Sequence, residues 1–220
     1  MARISLQQKL TLGLAAIFIV IGGTMVYDAM STSSQQTTTF DTAQQAAEDA
    51  WVLPDPTGSA DETNPVIDTG KPVKQPAVRD VIAKLQFFRP STGKSLVHAK
   101  PLFVGEGTDS FSLSRGPGHY VGTALPGQQG NVAIAGHRTG WGSPFLRLND
   151  LKPGDRIILT TREGTRYRYE VLRKIYVAAD ADRVLKQEPN ADGDRRITLT
   201  TCDPPHTSDR RLIVQGVLLP

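Results

Sequence analysis

Short β-type runs separated by glycine and proline fill the chain from residue 77 to its end, and this pattern constrains the fold most strongly. The predicted strands are 81–88, 95–104 with a break at Pro101, 132–137, 156–161, 165–177, 195–202 and 211–219. Short helices are favoured only at 144–149 and 180–187. Since no repeat of strand and long helix occurs, we predict an all-β domain, a closed or nearly closed barrel with short helices.

An uncharged run of 18 residues, 10–27, lies near the N-terminus. As a helix it would rise roughly 27 Å, close to the hydrocarbon thickness of a bilayer. Basic residues precede it and Asp28 follows, so the positive-inside rule predicts residues 1–9 in the cytoplasm and the rest outside. We therefore expect a transmembrane anchor over 10–30 in the cell membrane. The alternative is a cleaved secretory signal peptide, which also predicts export.

Residues 31–76 have the composition of a flexible extracellular linker, rich in Ser, Thr, Gln, Pro and Asp. One or two helical turns are possible over 41–51, before a series of prolines. The domain at 77–220 carries 21 basic and 14 acidic side chains. Such an excess is typical of a solvated surface, and it would also attract anionic polymers near a membrane. The absence of a recognisable nucleic-acid-binding motif argues against nucleic acid as a partner.

The single cysteine, Cys202, ends a predicted strand and is followed by Asp203-Pro204-Pro205, which cannot continue a central strand. A lone thiol forms no intramolecular disulfide. It is therefore either a small buried apolar side chain or a free nucleophile at the end of a strand.

His137 occupies a similar position, directly after the apolar run 132–136. An imidazole there can carry protons at neutral pH. His206, in the loop after the cysteine strand, is the competing candidate, while His98 and His119 are less favourably placed. Because no two histidines are near each other and no second thiol exists, we expect no metal site. We expect no other cofactor.

Arg211 begins the last predicted strand, which we expect to pair beside the cysteine strand. A guanidinium there could bind a substrate carbonyl or the oxyanion formed when a thiolate attacks it. Arg210 points to the opposite face, so only one of the two can line the same site. Either could instead be a solvent-facing arginine.

Three segments together resemble the sortases, the membrane-anchored cysteine transpeptidases of Gram-positive cell surfaces. They are TLTTC at 198–202, RLIVQG at 211–216 and AIAGHRTGWGSPF at 133–145. The resemblance covers about residues 78–220 and includes the single N-terminal anchor. The GPGHY segment at 116–120 and the downstream Pro126-Gly127 are most similar to class E, whose members favour an LAxTG sorting signal over LPxTG.

The resemblance implies a sortase catalytic domain at 77–220, folded as an eight-stranded sortase-type β-barrel. It implies Cys202 as nucleophile, His137 as acid and base, and Arg211 as the clamp for substrate and oxyanion. In similar sequences, the arginine of the clamp directly precedes an apolar triplet that is followed by a glycine two positions on, which supports Arg211 over Arg210 for this role. The implied reaction cleaves the signal between Thr and Gly through a thioacyl intermediate and joins the protein to a cell-wall amine.

Substrate contacts are implied for Tyr120, which matches the tyrosine associated with recognition of the signal's alanine, and for Thr139 and Thr201. The implied partners are surface proteins with an LAxTG or LPxTG signal and an amine of peptidoglycan. Two alternatives stay open. One is a non-catalytic exported β-barrel that binds a partner, and the other is an L,D-transpeptidase, which is expected to show S-x-G-C where this chain has Thr200-Thr201-Cys202.

Overall fold

The computed structural model describes residues 29–51, 80–180 and 193–220. The strands are β1 (Val81–Arg89), β2 (Lys94–Ser95), β3 (Leu102–Glu106), β4 (Gly118–His119), β5 (Gly130–Ala135), β6 (Arg156–Thr161), β7 (Arg166–Ala178), β8 (Arg195–Asp203) and β9 (Arg210–Leu218). The helices are α1 (29–49), α2 (Ser110–Leu113) and a 3-10 turn at Leu148–Asp150.

Eight of these strands form a closed cycle. Their order is β1-β3-β4-β5-β8-β9-β7-β6, and β6 pairs back onto β1, which removes the open edges of the sheet. The two-residue β2 pairs with the end of β1 outside the cycle. The predicted all-β, eight-stranded barrel is therefore confirmed.

The barrel interior is filled by alternate residues of each strand. On β8, Ile197 and Leu199 are fully buried members of the core, and on β9 their counterparts are Leu212 and Val214. Because successive side chains point to opposite faces, Cys202 and the other even-numbered residues of β8 lie on the outer face. The candidate nucleophile is thus outside the barrel, at the end of a strand whose other face is core.

The strand boundaries mostly follow the sequence pattern. β6 covers 156–161 as predicted, and the region broken at Pro101 separates into β2 and β3. The two-residue β4 was not predicted, because it lies within a Gly-Pro-Gly segment that has no apolar alternation. Of the two predicted short helices, 144–149 is a turn that becomes the 3-10 turn, and 181–187 lies outside the described residues.

The clearest difference from the sequence prediction is α1. The sequence favours a linker with one or two helical turns at 41–51, but residues 29–49 are helical. Beyond the first turn, the buried or half-buried positions recur with a spacing typical of one helix face. They are 36, 40, 43, 44 and 47, followed by 51 just after the helix. This stripe is hard to recognise because Phe40 and Trp51 are its only large apolar members. Residues 52–79 lie outside the described part.

Within 29–51, 80–180 and 193–220, no helix combines the length and the apolar character needed to cross a bilayer. The candidate span at 10–27 lies outside these ranges. The division into cytoplasmic N-terminus, anchor, linker and catalytic domain stays a prediction.

Candidate active site

Cys202 and Arg211 are directly paired across two neighbouring strands. β8 and β9 run antiparallel in unbroken register, with Cys202 opposite Arg211 and Asp203 opposite Arg210. Directly opposed residues project from the same face of a sheet, so the half-buried thiol and the half-buried guanidinium share the outer face. The predicted pairing of the cysteine and arginine strands is therefore confirmed.

Arg210 is engaged on the other face. Its Nη2 donates to Oδ2 of Asp203 over 2.9 Å, and its guanidinium lies 5.5 Å from the ring centre of Tyr176. The buried Asp203 also faces the buried Arg138, whose Nη1 is 3.9 Å from Oδ1. Asp203 thus links the start of β9 to the loop after β5. It also pairs with Arg210, the arginine that competes with Arg211 for the role at the site.

The guanidinium of Arg211 is held close to the strand connection. Its Nη1 donates to the carbonyls of Ser208 and Arg210, over 3.0 and 3.1 Å. A guanidinium has five N–H donors. The Nε–H and Nη2–H groups have no hydrogen-bond partner among the described residues, so they can bind an oxygen of a substrate.

The backbone of β5 leads His137 to the cysteine end of β8. The two strands are parallel, and their last register pair is Ala135 with Thr200. Beyond it, the Gly136 N–H donates to the Thr200 carbonyl over 3.1 Å, and the Thr201 hydroxyl donates to the Gly136 carbonyl over 2.7 Å. Since the chains stay side by side to this point, the next residue of the β5 side, His137, enters at the level of Cys202.

His137 is half-buried and begins a compact loop, 137–145. Its carbonyl accepts from the Phe145 N–H over 3.1 Å, which closes the loop. Burial disfavours the charged imidazolium and lowers the pKa of His137 below its usual 6.5. The imidazole is therefore mainly neutral at pH 7 and able to accept a proton.

Tyr120 lies on the same outer surface, beside β8. Its hydroxyl is hydrogen-bonded to Oγ1 of Thr200 over 3.0 Å, two residues before Cys202. Its backbone N–H donates to the Ala133 carbonyl over 2.9 Å. The side chain is half-buried and so remains accessible to a ligand.

The other two predicted substrate contacts are placed differently. Thr201 is 3% exposed, projects from the core-facing side of β8, and its hydroxyl is already bonded to Gly136. This placement suits a residue that fixes the path to His137 better than one that touches substrate. Thr139 is half-buried in the loop after His137.

A buried, hydrogen-bonded pair of side chains supports the segment that carries Tyr120. His119 and Glu106 are fully buried, with Nδ1 of the imidazole 2.7 Å from Oε2 of the carboxylate. The other ring nitrogen contacts the Thr123 hydroxyl at 2.8 Å and the Ala124 carbonyl at 3.0 Å. Burial raises the pKa of Glu106, and the neighbouring His119 opposes that rise. Sequence reasoning missed this pair because its members are separated by 12 residues and belong to different strands.

The remaining histidines do not approach Cys202 by any strand register. His206 is exposed in the connection between β8 and β9, with a left-handed backbone φ of 67°. The Nδ1 of His98 lies 3.0 Å from the carbonyl of Lys100. Across the described ranges, no group of three or more His, Cys, Asp or Glu side chains could hold a metal ion.

Comparison with known proteins gives one consistent family. The family model of the sortase domain matches residues 94–219. Sortase SrtE1 of Streptomyces coelicolor is 37% identical over 148 residues, which cover 60% of this chain and 42% of that protein. Sortase SrtE2 of the same organism is 33% identical over 54% of this chain and 51% of its own length. The chain thus aligns with about half the length of these curated relatives.

Solved structures agree. Sortase E from Streptomyces avermitilis superposes with a TM-score of 0.54 at 32% identity, covering 66% of this chain and 91% of that one. Sortase E1 from Streptomyces coelicolor, solved with a tripeptide in its active site, gives 0.51 at 31% identity, covering 64% and 89%.

Proposed function

The chain belongs to the sortase family, and on that basis we propose that it is a cysteine transpeptidase that cuts a sorting signal between Thr and Gly. The observation that carries the proposal is the register of β8 and β9, which pairs Cys202 with Arg211 on the outer face. His137 enters beside them at the end of β5. A nucleophile, a proton carrier and an oxyanion donor then meet at one end of the barrel.

The first half of the reaction forms a thioester. The Cys202 sulfur attacks the carbonyl carbon of the Thr–Gly bond, and Arg211 donates hydrogen bonds to the oxygen as it becomes negative. The bond from carbon to nitrogen breaks. His137 accepts the thiol proton as the sulfur attacks and passes it to the departing glycine amine, which leaves an acyl group on the sulfur.

The second half transfers that acyl group to an amine of peptidoglycan. His137 accepts a proton from the amine as the amine nitrogen attacks the thioester carbon. The bond from carbon to sulfur breaks, and the departing Cys202 sulfur takes that proton from His137, which restores the thiol and the neutral imidazole. The lowered pKa of His137 supports this step, because the imidazole is mainly in its neutral, proton-accepting form near pH 7. The product is a surface protein joined to the wall by a peptide bond.

Tyr120 and the loop from His137 supply the neighbouring contacts of the signal. The Tyr120 hydroxyl is hydrogen-bonded to Thr200, two residues before the nucleophile, so its half-buried side chain is available to a small residue of the signal that precedes the Thr–Gly bond. We assign it the contact with the alanine of an LAxTG signal. Thr139, in the same loop as the acid and base, is assigned a further contact with the substrate.

The uncharged segment 10–27 supports a place for this reaction at the cell membrane. A single helix there would leave residues 1–9 in the cytoplasm and the barrel outside, where both surface proteins and peptidoglycan are found. Membership of the sortase family favours this arrangement, and it argues against both an L,D-transpeptidase and a barrel with an incidental thiol.

The test is transpeptidation followed by mass spectrometry. The full chain, an LAxTG peptide and triglycine should give the ligated product and a transient acyl adduct on Cys202. Cys202→Ala and His137→Ala should reduce product formation at least 1,000-fold, the scale on which loss of a nucleophile or its proton carrier acts. Ligation at the normal rate by Cys202→Ala would exclude the mechanism. An LPxTG peptide run in parallel measures the preference for alanine.

A further inference from the structure

Helix α1 lies against the loop that follows His137. Its residues Gln36 and Phe40, one helical turn apart, face Gly140 and Gly142 of that loop. A Cβ added at Gly142 would collide with the Phe40 ring, and one added at Gly140 would come within 3.0 Å of Oε1 of Gln36. The close approach of helix and loop therefore depends on glycine at position 142, whereas at Gly140 the end of the flexible Gln36 side chain can move aside.

The loop has a backbone that needs such support. All four residues from 140 to 143 have a positive φ, including the two non-glycine residues Trp141 at 47° and Ser143 at 48°. L-residues rarely adopt this region, and they keep it only where the surroundings enforce it. The contacts of α1 cover the centre of this strained stretch.

The helix itself is firmly attached to the barrel. Phe40 is 3% exposed and belongs to the same apolar cluster as the barrel core, and its ring centre lies 6.4 Å from that of His98. One turn later, the Gln44 amide accepts from the Phe103 N–H over 2.7 Å and donates to the Phe103 carbonyl over 3.1 Å. A helix fixed in this way can hold the loop in one conformation.

We propose that Phe40, assisted by Gln36, is a positioning residue for transpeptidation that fixes the loop 137–145 and so holds His137 at Cys202. The inference rests on the proposed role of His137 as acid and base. Proton transfer needs the imidazole within hydrogen-bond reach of the reacting atoms, and small displacements of a catalytic group cost large factors in rate. Helix α1 thus contributes to catalysis by positioning the acid and base.

The experiment compares Phe40→Ala, Phe40→Leu and Trp51→Ala in the full chain, with an LAxTG peptide and triglycine. Trp51 is the matched control. It is also a buried aromatic of the α1 region, 7% exposed, but it packs on Phe103 with ring centres 5.5 Å apart, away from the loop. We expect Phe40→Ala to lower kcat about 10- to 100-fold with the KM of the peptide changed less than about threefold. Phe40→Leu should recover most of kcat.

Trp51→Ala should lower the melting temperature while leaving kcat within about threefold of the wild type. Hydrogen exchange at the amides of 137–145 should be faster in Phe40→Ala than in Trp51→Ala. An unchanged kcat in Phe40→Ala, or an equal loss of kcat in both alanine variants, overturns the inference. If Phe40→Ala does not fold, Gln36→Ala is measured instead, and a normal kcat there has the same meaning. Full activity of His137→Ala would instead overturn the proposed function.

Discussion

At the scale of single residues, the adjacent Arg210 and Arg211 have different surroundings, because neighbouring side chains on a strand point to opposite faces of the sheet. Arg211 lies opposite Cys202, whereas Arg210 lies opposite Asp203 and forms an ion pair with it at 2.9 Å. Local sequence alone offers both as candidates. The register of one strand pair separates a residue that can reach substrate from one that links β8 to β9.

Arg211→Ala should reduce kcat/KM about 100- to 1,000-fold, the range found when one oxyanion donor is removed. Arg210→Ala is the control. It should cost about 1 kcal/mol of stability, since the guanidinium is half-exposed, and leave kcat/KM within about threefold. Steady-state kinetics of the two variants on one peptide checks this. The opposite ranking would move the clamp to Arg210.

His137 should titrate below 6.5 in the folded protein, because burial disfavours its charged form. In the unfolded chain it titrates near 6.5, so the unfolded state binds more protons as the pH falls below that value. The free energy of unfolding should therefore decrease as the pH falls from 7 to the lowered pKa of His137. Below that pKa, the contribution of His137 should stay constant.

NMR titration of the His137 ring, with His137→Gln to assign the signal, gives the pKa directly. The same variant should show a weaker loss of stability between pH 7 and pH 5 in denaturant unfolding. A His137 midpoint at or above 6.5 would contradict the burial of the ring.

At the scale of elements, the outer surface is assembled from strands far apart in sequence. Tyr120 follows β4, His137 follows β5, and Cys202 is the penultimate residue of β8. Backbone hydrogen bonds between these segments set their spacing. The buried pair of His119 and Glu106 joins β4 to β3 beneath Tyr120. Support for the substrate surface therefore comes from polar groups inside the barrel as well as from apolar packing.

His119→Ala should destabilise the fold by about 1–3 kcal/mol, because it leaves the buried carboxyl group of Glu106 without its hydrogen-bond partner. The exposed His206→Ala is the matched control and should change stability by less than about 0.5 kcal/mol. Urea unfolding measures both. Adding Glu106→Gln to His119→Ala should recover part of the loss, and strictly additive effects of the two changes would show that the groups are not coupled.

At the scale of the whole molecule, α1 packs against the closed barrel and belongs to the same folded unit. Phe40 and Trp51 are both almost fully buried against it. The amide of Gln44 additionally donates to the carbonyls of Phe103 and Arg115, over 3.1 and 2.9 Å. The folded unit thus includes residues that sequence composition assigns to a linker.

A chain that starts at residue 29 should therefore be more stable than one that starts at residue 77. Loss of the burial of Phe40 and Trp51 is worth about 3–6 kcal/mol, which corresponds to a fall in melting temperature of roughly 6–24 °C. Thermal unfolding of the two chains, followed by circular dichroism, measures the difference. Equal melting temperatures would mean that α1 contributes nothing to the folded barrel.

The barrel and its main strands were predictable because period-two alternation and Gly or Pro breaks are local signals. The boundaries of β6 and the pairing of β8 with β9 agree with the prediction for that reason. α1 and β4 were harder to predict from the sequence. The burial stripe of α1 consists mainly of Gln and Ala, which reveal a buried face only once the surface they contact is known.

The sequence by itself determined the fold class, the family and the identities of the thiol, imidazole and guanidinium, because these depend on local pattern and residue chemistry. Tertiary structure decided which side of each strand those groups occupy, the closure of β6 on β1, and the packing of Phe40 against the loop from His137. Those properties depend on register and on contacts between residues up to about 100 positions apart. A one-residue shift of β9 against β8 would place Arg210 opposite Cys202 and turn Leu212 and Val214 out of the core, and only the paired strands exclude it.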